Sequence, residues 1–282
     1  MPREITEEFV WQSLPQRPEN AHKGSQGRLT LVAGSRRYRG AAALCAEGAL
    51  RCGAGLVTLA APEAVIPGIL ARLPEIIFLS CGPDQVTDPQ PIREIPADTL
   101  CIGPGLGNTS ATRELTLALT RDFAGSVLLD ADGLNALAGI PLPRPGKGLV
   151  ITPHPGEMAR LADISIPEVE ENRAGVASGF ARANDCVVVL KGHRTLVADP
   201  DGNVWVNTTG NAGLARGGSG DLLSGMIAAF LAQGMDPSLA ACCGVWLHGA
   251  AADRCAARLG QTGMLPHDIV GDLCALFAAN GR

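Results

Sequence analysis

Short apolar segments rich in Val, Leu and Ile alternate with helix-like segments along almost the whole chain, and few folds are compatible with that pattern. Short buried strands separated by helices form βαβ units, whose right-handed crossovers build a parallel sheet. We therefore predict an α/β fold with three α/β/α layers, in which a mostly parallel sheet carries helices on both faces. The segments predicted to hold strands are RLTLVAGS (28–35), LVTLAAP (56–62), EIIFLS (75–80), TLCIGPGLG (99–107), SVLLDADGLNAL (126–137), GLVITPHPGEMARL (148–161) and CVVVLKG (186–192).

One hairpin and several longer helices complete the prediction. TLVADPDGNVWVN (195–207) has the PDG turn of a β-hairpin. The chain of 282 residues is long enough for one large domain. We predict an N-terminal arm over residues 1–22, with a short helix in TEEFVWQSL, and a single catalytic domain over residues 23–282. Helices are predicted at 40–55, 109–122 with Thr109 as its cap, 220–234, 237–259 and 264–279.

Composition excludes some partners. The formal net charge is −5, which argues against binding to nucleic acid or to an anionic membrane surface. No apolar run is long enough for a membrane span and no secretory leader is recognisable, so we expect a cytoplasmic protein. The nine cysteines include no CxxC pair and lie mostly in apolar segments. Buried free thiols are the favoured interpretation; a zinc site or a redox pair is the alternative.

Glycines and polar residues follow the predicted strands. The strand ends run into GPGLG, DADGLN, TPHPGE and KGHRT, and GGSGD precedes a late helix. Ligands of open α/β sheets bind outside the carboxyl ends of the strands. The sequence therefore predicts one site at this edge.

GNAGLARGGSGDLL (210–223) concentrates glycine immediately before an apolar helix. A helix N-terminus offers free N–H groups and partial positive charge, and glycines let an anion approach. Asp221 in the first turn would accept a proton from a substrate hydroxyl beside that anion, as carboxylates do in kinases. Helix capping by Ser219 or Asp221 is the structural alternative. Neither GxxxxGK[ST] nor GxGxxG occurs in the chain, so a nucleotide would bind by another arrangement.

An ordered set of motifs over about residues 23–280 resembles the ADP/ATP-dependent NAD(P)H-hydrate dehydratases, the YjeF C-terminal family of the ribokinase-like superfamily. The matching stretches are KGSQGRLTLVAGS (23–35), RGAAALCAEGALRCGAGLVTLA (39–60), GPGLG (103–107), LLDADGLNAL (128–137), ITPHPGE (151–157), VVVLKGHRT (187–195) and TGNAGLARGGSGDLLSG (209–225).

The resemblance implies repair of hydrated NADH or NADPH, with the S epimer as substrate. The ring hydroxyl would be phosphorylated by ADP, giving AMP, and loss of phosphate would restore the ring double bond. Mg²⁺ is the implied metal, and ADP is favoured over ATP. The resemblance also implies an NAD(P)H-hydrate epimerase as functional partner, expected as a separate protein because residues 1–22 are too few for a fused domain, and a homo-oligomer such as a tetramer.

Two other functions stay open. A ribokinase-like kinase acting on a vitamin-precursor alcohol would share much of the motif set, and its product would be a stable phosphate ester. A non-catalytic nucleotide-binding or sensor protein is disfavoured by the intact Asp221 after GGSG.

The resemblance also implies roles for individual residues. Asp221 would be the catalytic base and would contact the substrate, while the amides of Gly218 and Gly220 would stabilise the transferring phosphoryl group. The remaining substrate contacts would be Ala43, Gly105, Gly107 and His154. Nucleotide contacts would be Lys191, Gly192, His193, Arg194, Thr195 and Gly220.

Each of these positions also has a structural interpretation. Ala43 fits ordinary helix packing, His154 a turn, and Lys191 a solvated strand end. Glu157 occupies the position of the acid in the N-x-x-E motif of the superfamily's sugar kinases, with His in place of Asn. It would hold Mg²⁺ through water. Its alternative is an exposed acid at a helix start. Three residues of DADGLN would form part of the floor of the site, namely Asp130, Asp132 and Asn135. A simple turn and helix cap is their alternative.

The remaining histidines receive no catalytic role. His248 lies in an apolar helix and is predicted to be a core histidine with its hydrogen bonds satisfied. His22 and His267 have no partner that the sequence identifies.

Overall fold

A ten-stranded sheet forms the centre of the computed structural model, which describes residues 2–282. Its strands lie in the order β1-β10-β9-β8-β7-β6-β5-β2-β3-β4. The strand bounds are β1 (Arg3–Glu4), β2 (Arg28–Val32), β3 (Leu56–Ala61), β4 (Ile77–Ser80), β5 (Thr99–Ile102), β6 (Ser126–Leu129), β7 (Leu149–Ile151), β8 (Val187–Leu190), β9 (Leu196–Ala198) and β10 (Val204–Val206).

The strands from β8 through β4 are parallel, as predicted from the βαβ pattern. The direction reverses at β9, which pairs antiparallel with both β8 and β10. The strands β9 and β10 form the hairpin predicted at residues 195–207. Because β10 returns to the common direction, β1 pairs with it in parallel. The mostly parallel sheet is therefore confirmed.

Helices cover both faces of the sheet. Their bounds are α1 (Glu7–Ser13), α2 (Arg39–Arg51), α3 (Ile66–Leu70), α4 (Gln90–Arg93), α5 (Ser110–Thr120), α6 (Ala131–Asn135), α7 (Pro155–Ala162), α8 (Ile166–Glu171), α9 (Arg173–Asn184), α10 (Ser219–Ala232), α11 (Pro237–Leu259) and α12 (Ile269–Ala279). Thr109 caps α5 by accepting a hydrogen bond from the Thr112 N–H, as predicted. None of the helices formed by residues 2–282 combines the length and apolar character that crossing a bilayer requires.

The helices depart from the sequence prediction in two ways. The last one begins at Ile269 rather than at 264, because a 3₁₀ turn occupies Pro266–Asp268. The short helices α3, α4 and α8 were not predicted, and neither was α9. The fully buried positions of α9, Ala177 and Ala181, are both alanines, so its apolar stripe is too weak to be seen in the sequence.

The core has one part on each face of the sheet. Side chains of successive strand residues point to opposite faces, so Leu128 lies in one part while Val127 and Leu129 lie in the other. The first part is packed by α1, α2, α10, α11 and α12, and the second by α5, α6, α7 and α9. This arrangement confirms the three α/β/α layers.

The N-terminal segment packs on the sheet and on α11. The strand β1 extends the sheet edge, and Ile5, Val10 and Leu14 are buried in the first part of the core. The Trp11 ring lies edge-on to Trp246, with ring centroids 6.2 Å apart. Residues 3–14 thus contribute to the core, and the predicted boundary at residue 22 stays a prediction.

Two predictions about buried side chains have different outcomes. All nine cysteines are free, and eight of them are buried, which confirms the predicted buried thiols. His248 is buried in α11 as predicted, but its Nε2 has no hydrogen-bond partner among the described residues, so the prediction of satisfied hydrogen bonds is wrong. Burial lowers the pKa of His248 to about 4. The imidazole is therefore neutral near pH 7.

The helices α2 and α10 pack in backbone contact at glycines. A Cβ atom on Gly225 would collide with the Cys45 carbonyl oxygen, and one on Gly48 would collide with the Leu222 carbonyl oxygen. Each glycine thus fits against the backbone of the opposite helix. This contact sets where α10 begins relative to the sheet edge.

We expect Gly225→Ala to lower the free energy of unfolding by about 1–3 kcal/mol, because the added methyl group forces the two backbones apart. The matched control is Gly271→Ala in α12, where nothing lies within 4 Å of the added atom. There alanine's higher helix propensity should stabilise the protein by up to about 1 kcal/mol. Urea denaturation measures both. Equal stabilities of the two variants would contradict the close contact.

Candidate active site

Polar side chains from three adjacent parallel strands meet at one edge of the sheet. Asp130 directly follows β6, Thr152 follows β7 and Lys191 follows β8. Since the carboxyl ends of parallel strands share an edge, these residues lie side by side. The N-terminus of α10 reaches the same place, because Ser224 on α10 bonds to Asp130.

Asp130 is the centre of a buried hydrogen-bond network. Its carboxylate accepts hydrogen bonds from Thr152 Oγ1 at 2.7 Å, from Lys191 Nζ at 2.7 Å and from Ser224 Oγ at 2.8 Å. Only 1% of its surface is exposed. A buried carboxylate is costly unless it is paired and hydrogen-bonded, and here both conditions hold. Asp130 is also the N-cap residue of α6, but its side chain caps no N–H group there and belongs to this network instead.

The helix α10 begins without a side-chain cap. Gly218 is the N-cap residue, with φ +100°, and no side chain accepts from the first-turn N–H groups. Ser219 Oγ is buried and has no hydrogen-bond partner within residues 2–282. The capping alternative for Ser219 and Asp221 is therefore wrong. The N–H groups of Gly218 and Gly220 have no side-chain cap, whereas the Ser219 N–H donates to the Arg216 carbonyl at 3.3 Å.

Lys191 brings a positive charge to this helix start. A Cβ atom placed on Gly220 would lie 3.4 Å from Lys191 Nζ and 4.0 Å from Asp130 Oδ2. Glu157 Oε2 lies 3.8 Å from the same Nζ. Burial by itself would lower the pKa of Lys191, but the charges of Asp130 and Glu157 outweigh it and raise that pKa. The predicted alternative, a solvated strand end, is wrong, because the side chain is only 18% exposed.

Asp221 occupies the third position of α10. Burial raises the pKa of Asp221 to about 6, and the negative charge of Asp130 adds to that effect while Lys191 opposes it. A carboxylate with its pKa close to the working pH is suited to general base catalysis. Perturbed groups of this kind cluster at functional sites.

His154 and Glu157 form a capping box at the start of α7. His154 Nδ1 accepts from the Gly156 and Glu157 N–H groups, and Glu157 Oε2 accepts from the His154 N–H at 2.8 Å. Burial lowers the pKa of His154, which agrees with an Nδ1 that accepts. The ring remains accessible, since 53% of the side chain is exposed, and its Nε2 lies 3.5 Å from Glu157 Oε1. Glu157 is buried, so its predicted alternative as an exposed acid is wrong.

The predicted substrate-contact residues lie on neighbouring loops. Gly105 is buried, and the space beside its Cα is filled by Tyr38 and Ala41 at the start of α2. Gly107 is open on its side-chain face, and its N–H donates to Asp132 Oδ2 at 2.7 Å. Ala43 is partly buried on α2. Substrate contact by these residues stays a prediction.

The residues of the segment 191–195 differ in their exposure. Lys191 is in the site, whereas Gly192, His193 and Arg194 are exposed at its rim. Thr195 Oγ1 donates to the Gly192 carbonyl at 3.0 Å, which closes the turn. Nucleotide contact by this rim stays a prediction. Asn135 Oδ1 accepts from Arg160 Nε at 3.0 Å, and its place in the floor of the site stays a prediction.

A metal would need ligands from outside the chain. Within the described part of the chain, no group of three or more His, Cys, Asp or Glu is arranged to hold a metal ion. Mg²⁺ commonly binds through one or two carboxylates, several waters and substrate phosphates. Glu157 is buried and its Oε2 accepts from the His154 N–H, and its predicted role, holding Mg²⁺ through water, stays a prediction.

Three contributors were missing from the sequence prediction. Thr152 and Ser224 complete the Asp130 network, and Arg173 holds the turn at Gly192–Thr195 by donating to the His193 carbonyl at 2.6 Å. The signal for Ser224 was a lone hydroxyl in an apolar helix, which needs a partner when buried. Nothing in the sequence distinguishes Arg173 from a surface arginine.

A protein-family model described as NAD(P)H-hydrate dehydratase matches residues 29–274. The ADP-dependent (S)-NAD(P)H-hydrate dehydratase of Bacillus subtilis is 38% identical over 265 residues, which cover 94% of this chain and 94% of that protein. The bifunctional NAD(P)H-hydrate repair enzyme Nnr of Moorella thermoacetica is 42% identical over 278 residues, or 95% of this chain and 52% of that enzyme. The chain thus spans about half the length of such bifunctional relatives.

Solved structures agree with these matches. The crystal structure of the ADP/ATP-dependent NAD(P)H-hydrate dehydratase from Bacillus subtilis, co-crystallised with ATP and Mg²⁺, superposes with a TM-score of 0.88. It is 34% identical in sequence, and the alignment covers 99% of both chains.

We expect Asp130→Asn to lower the pKa of Asp221, because the substitution removes a neighbouring negative charge. Asp221 would then titrate closer to the ordinary value for aspartate. Carbon-13 NMR titration of labelled aspartate carboxyl groups measures the change. Asp201→Asn, at the exposed tip of the β9–β10 hairpin, is the matched control and should leave the pKa of Asp221 at about 6. An unchanged or higher pKa in Asp130→Asn would contradict the role assigned to this charge.

Proposed function

The chain belongs to the NAD(P)H-hydrate dehydratase family, and on that premise we propose that it uses ADP to dehydrate the S epimer of hydrated NADH or NADPH. The products are AMP, phosphate and the restored dihydronicotinamide. The observation that carries the proposal is the position of Asp221, which lies in the first turn of an uncapped helix with a pKa of about 6.

Asp221 acts on the ring hydroxyl of the substrate. Its carboxylate accepts the hydroxyl proton while the oxygen attacks the terminal phosphorus of ADP. Positioning and electrostatic stabilisation supply most of the catalysis in phosphoryl transfer. The phosphorylated ring then loses phosphate from one carbon and a proton from the neighbouring carbon, which restores the double bond. Phosphate makes this elimination feasible because it is a far better leaving group than hydroxide.

The start of α10 stabilises the charge that develops on the phosphoryl group. The N–H groups of Gly218 and Gly220 are free of side-chain caps, and the helix dipole favours an anion there. Lys191 Nζ lies beside Gly220 and keeps its positive charge because Asp130 and Glu157 raise its pKa. This preorganised charge costs no rearrangement at the moment of transfer.

The nucleotide lies on the β8 side in this proposal. The exposed turn Gly192–Thr195 continues from Lys191 and borders the same edge. Mg²⁺ enters with the nucleotide phosphates and neutralises part of their charge, and Glu157 would hold it through water. The relative with ATP and Mg²⁺ in its crystals supports this pairing.

The finer assignments belong to the proposal as well. Relatives of about twice this length are named bifunctional repair enzymes, which supports an NAD(P)H-hydrate epimerase as functional partner. The cytoplasmic location and the tetramer stay predictions.

The first experiment mixes the protein with hydrated NADH, Mg²⁺ and either ADP or ATP. We expect the near-ultraviolet absorbance of the dihydronicotinamide to return with ADP, and AMP to form in equal amount. Asp221→Asn keeps the shape of the side chain but removes the base, so turnover should fall by roughly 10²–10⁴-fold. Asp201→Asn is the control for the substitution itself.

The same experiment separates the alternatives. If a stable phosphate ester forms and the dihydronicotinamide absorbance does not return, the protein is a kinase and not a dehydratase. If the protein binds nucleotide but consumes none, the proposal that it is an enzyme is wrong.

The pH profile tests the base directly. Asp221 must be ionised to accept a proton, so kcat/KM should be constant above about pH 6 and fall by about tenfold per pH unit below it. Asp130→Asn should move this acidic limb to lower pH, because it lowers the pKa of Asp221. A limb that stays at the same pH in both proteins would assign it to another group.

A further inference from the structure

An arginine-rich loop follows β2 at the same edge of the sheet. Its sequence is SRRYRG over residues 35–40, and it places Arg36, Arg37 and Arg39 on an exposed surface around Tyr38. The Tyr38 side chain belongs to the exposed large apolar residues, with 45% of its surface accessible. The chain as a whole carries a net charge of −5. A concentration of three arginines in four residues therefore stands out from its background.

Two of these arginines have no carboxylate partner. Arg36 pairs with Asp84 at 2.8 Å. Arg39 Nε donates to the Arg36 carbonyl at 3.1 Å, and the Arg37 guanidinium lies 5.3 Å from the centre of the Tyr38 ring. Within residues 2–282, no acid lies within ion-pair distance of Arg37 or Arg39. Their guanidinium groups retain hydrogen-bond donors for a ligand.

The loop contacts residues that border the active site. Gly34 N–H donates to the Pro104 carbonyl at 2.8 Å, and the Tyr38 carbonyl oxygen lies 2.8 Å from where a Cβ of Gly105 would be. Five residues after Arg39, Leu44 packs against Gly218 at the start of α10. At 1.5 Å per residue, Arg39 lies about 7.5 Å along the axis of α2 from that contact.

The loop and the nucleotide turn lie on opposite sides of Asp130. Between β8 and β2 the sheet order places β7, β6 and β5. Neighbouring strands are about 4.8 Å apart, so the ends of β8 and β2 are separated by about 19 Å, and the end of β6 lies midway. A ligand whose reacting group is at Asp221 can extend toward β2 without meeting a nucleotide on the β8 side.

We propose that Arg37 and Arg39, together with Tyr38, bind a phosphate group of the hydrated dinucleotide. The inference rests on the proposed function and adds the subsite that holds the non-reacting half of the substrate. Guanidinium groups match phosphate geometry with paired N–H donors, and Tyr38 offers a flat apolar face beside them. The group bound is the diphosphate bridge or the 2′-phosphate of the NADPH form.

Equilibrium binding tests the subsite without turnover. NADPH and NADH are titrated into wild type and into Arg37→Ala/Arg39→Ala, and binding is followed by dihydronicotinamide fluorescence. We expect the double variant to bind NADPH roughly tenfold more weakly, as loss of charge-assisted hydrogen bonds predicts. Arg37→Lys/Arg39→Lys keeps the charge and should recover part of the affinity. Arg51→Ala, at the far end of the same helix, is the control and should bind as wild type does.

The two cofactors identify which phosphate is bound. A loss confined to NADPH assigns the 2′-phosphate, and an equal loss for NADH assigns the diphosphate. The KM for the corresponding hydrate should rise by the same factor, with kcat changed by less than about twofold, as expected for a contact that does not change between the ground state and the transition state. Unchanged binding of both cofactors by the double variant would overturn the subsite. If neither hydrate is turned over by wild type, the proposed function fails while the binding result stands.

Discussion

The buried carboxylate of Asp130 is the contact on which the rest of the site depends. It accepts from Thr152, Lys191 and Ser224, so one side chain joins the ends of three strands to α10. Lys191 keeps its charge in a largely buried position because Asp130 and Glu157 raise its pKa against the effect of burial. Removing one member of a buried pair leaves the other without compensation, which is costly. The network therefore links the stability of this edge to its electrostatics.

The backbone contact between α2 and α10 provides the second constraint. Gly48 and Gly225 let the two helices approach until carbonyl oxygens of each face the glycine of the other. That approach brings the uncapped start of α10 above Asp130, and it also places Arg39 and Leu44 of α2 along one wall of the site. Packing at small residues thus determines where the uncapped start of α10 and the arginine-rich loop lie relative to each other.

Along the sheet edge, acidic groups lie at the centre and cationic groups lie on both sides of them. Lys191 and the exposed turn lie on the β8 side, Asp221 and Asp130 at the centre, and Arg37 and Arg39 beyond β2. Burial and, to a smaller extent, the neighbouring acids raise the pKa of Asp221, which suits a base, while cations on either side suit two phosphate-bearing ligands. The ribokinase-like fold brings these groups together from strands that are far apart in the chain.

The alternation of apolar strands and helices determined the three-layer fold and its mostly parallel sheet, because periodicity is a local property that the chain records directly. The glycine-rich start of α10 and the position of Asp221 in its first turn were readable for the same reason. Only the tertiary structure decided that Asp130 binds Ser224, 94 residues away, that Lys191 is buried rather than solvated, and that His248 Nε2 has no partner among the described residues. Those outcomes depend on which side chains meet across the sheet edge and on how much water reaches them, and neither is encoded in local pattern.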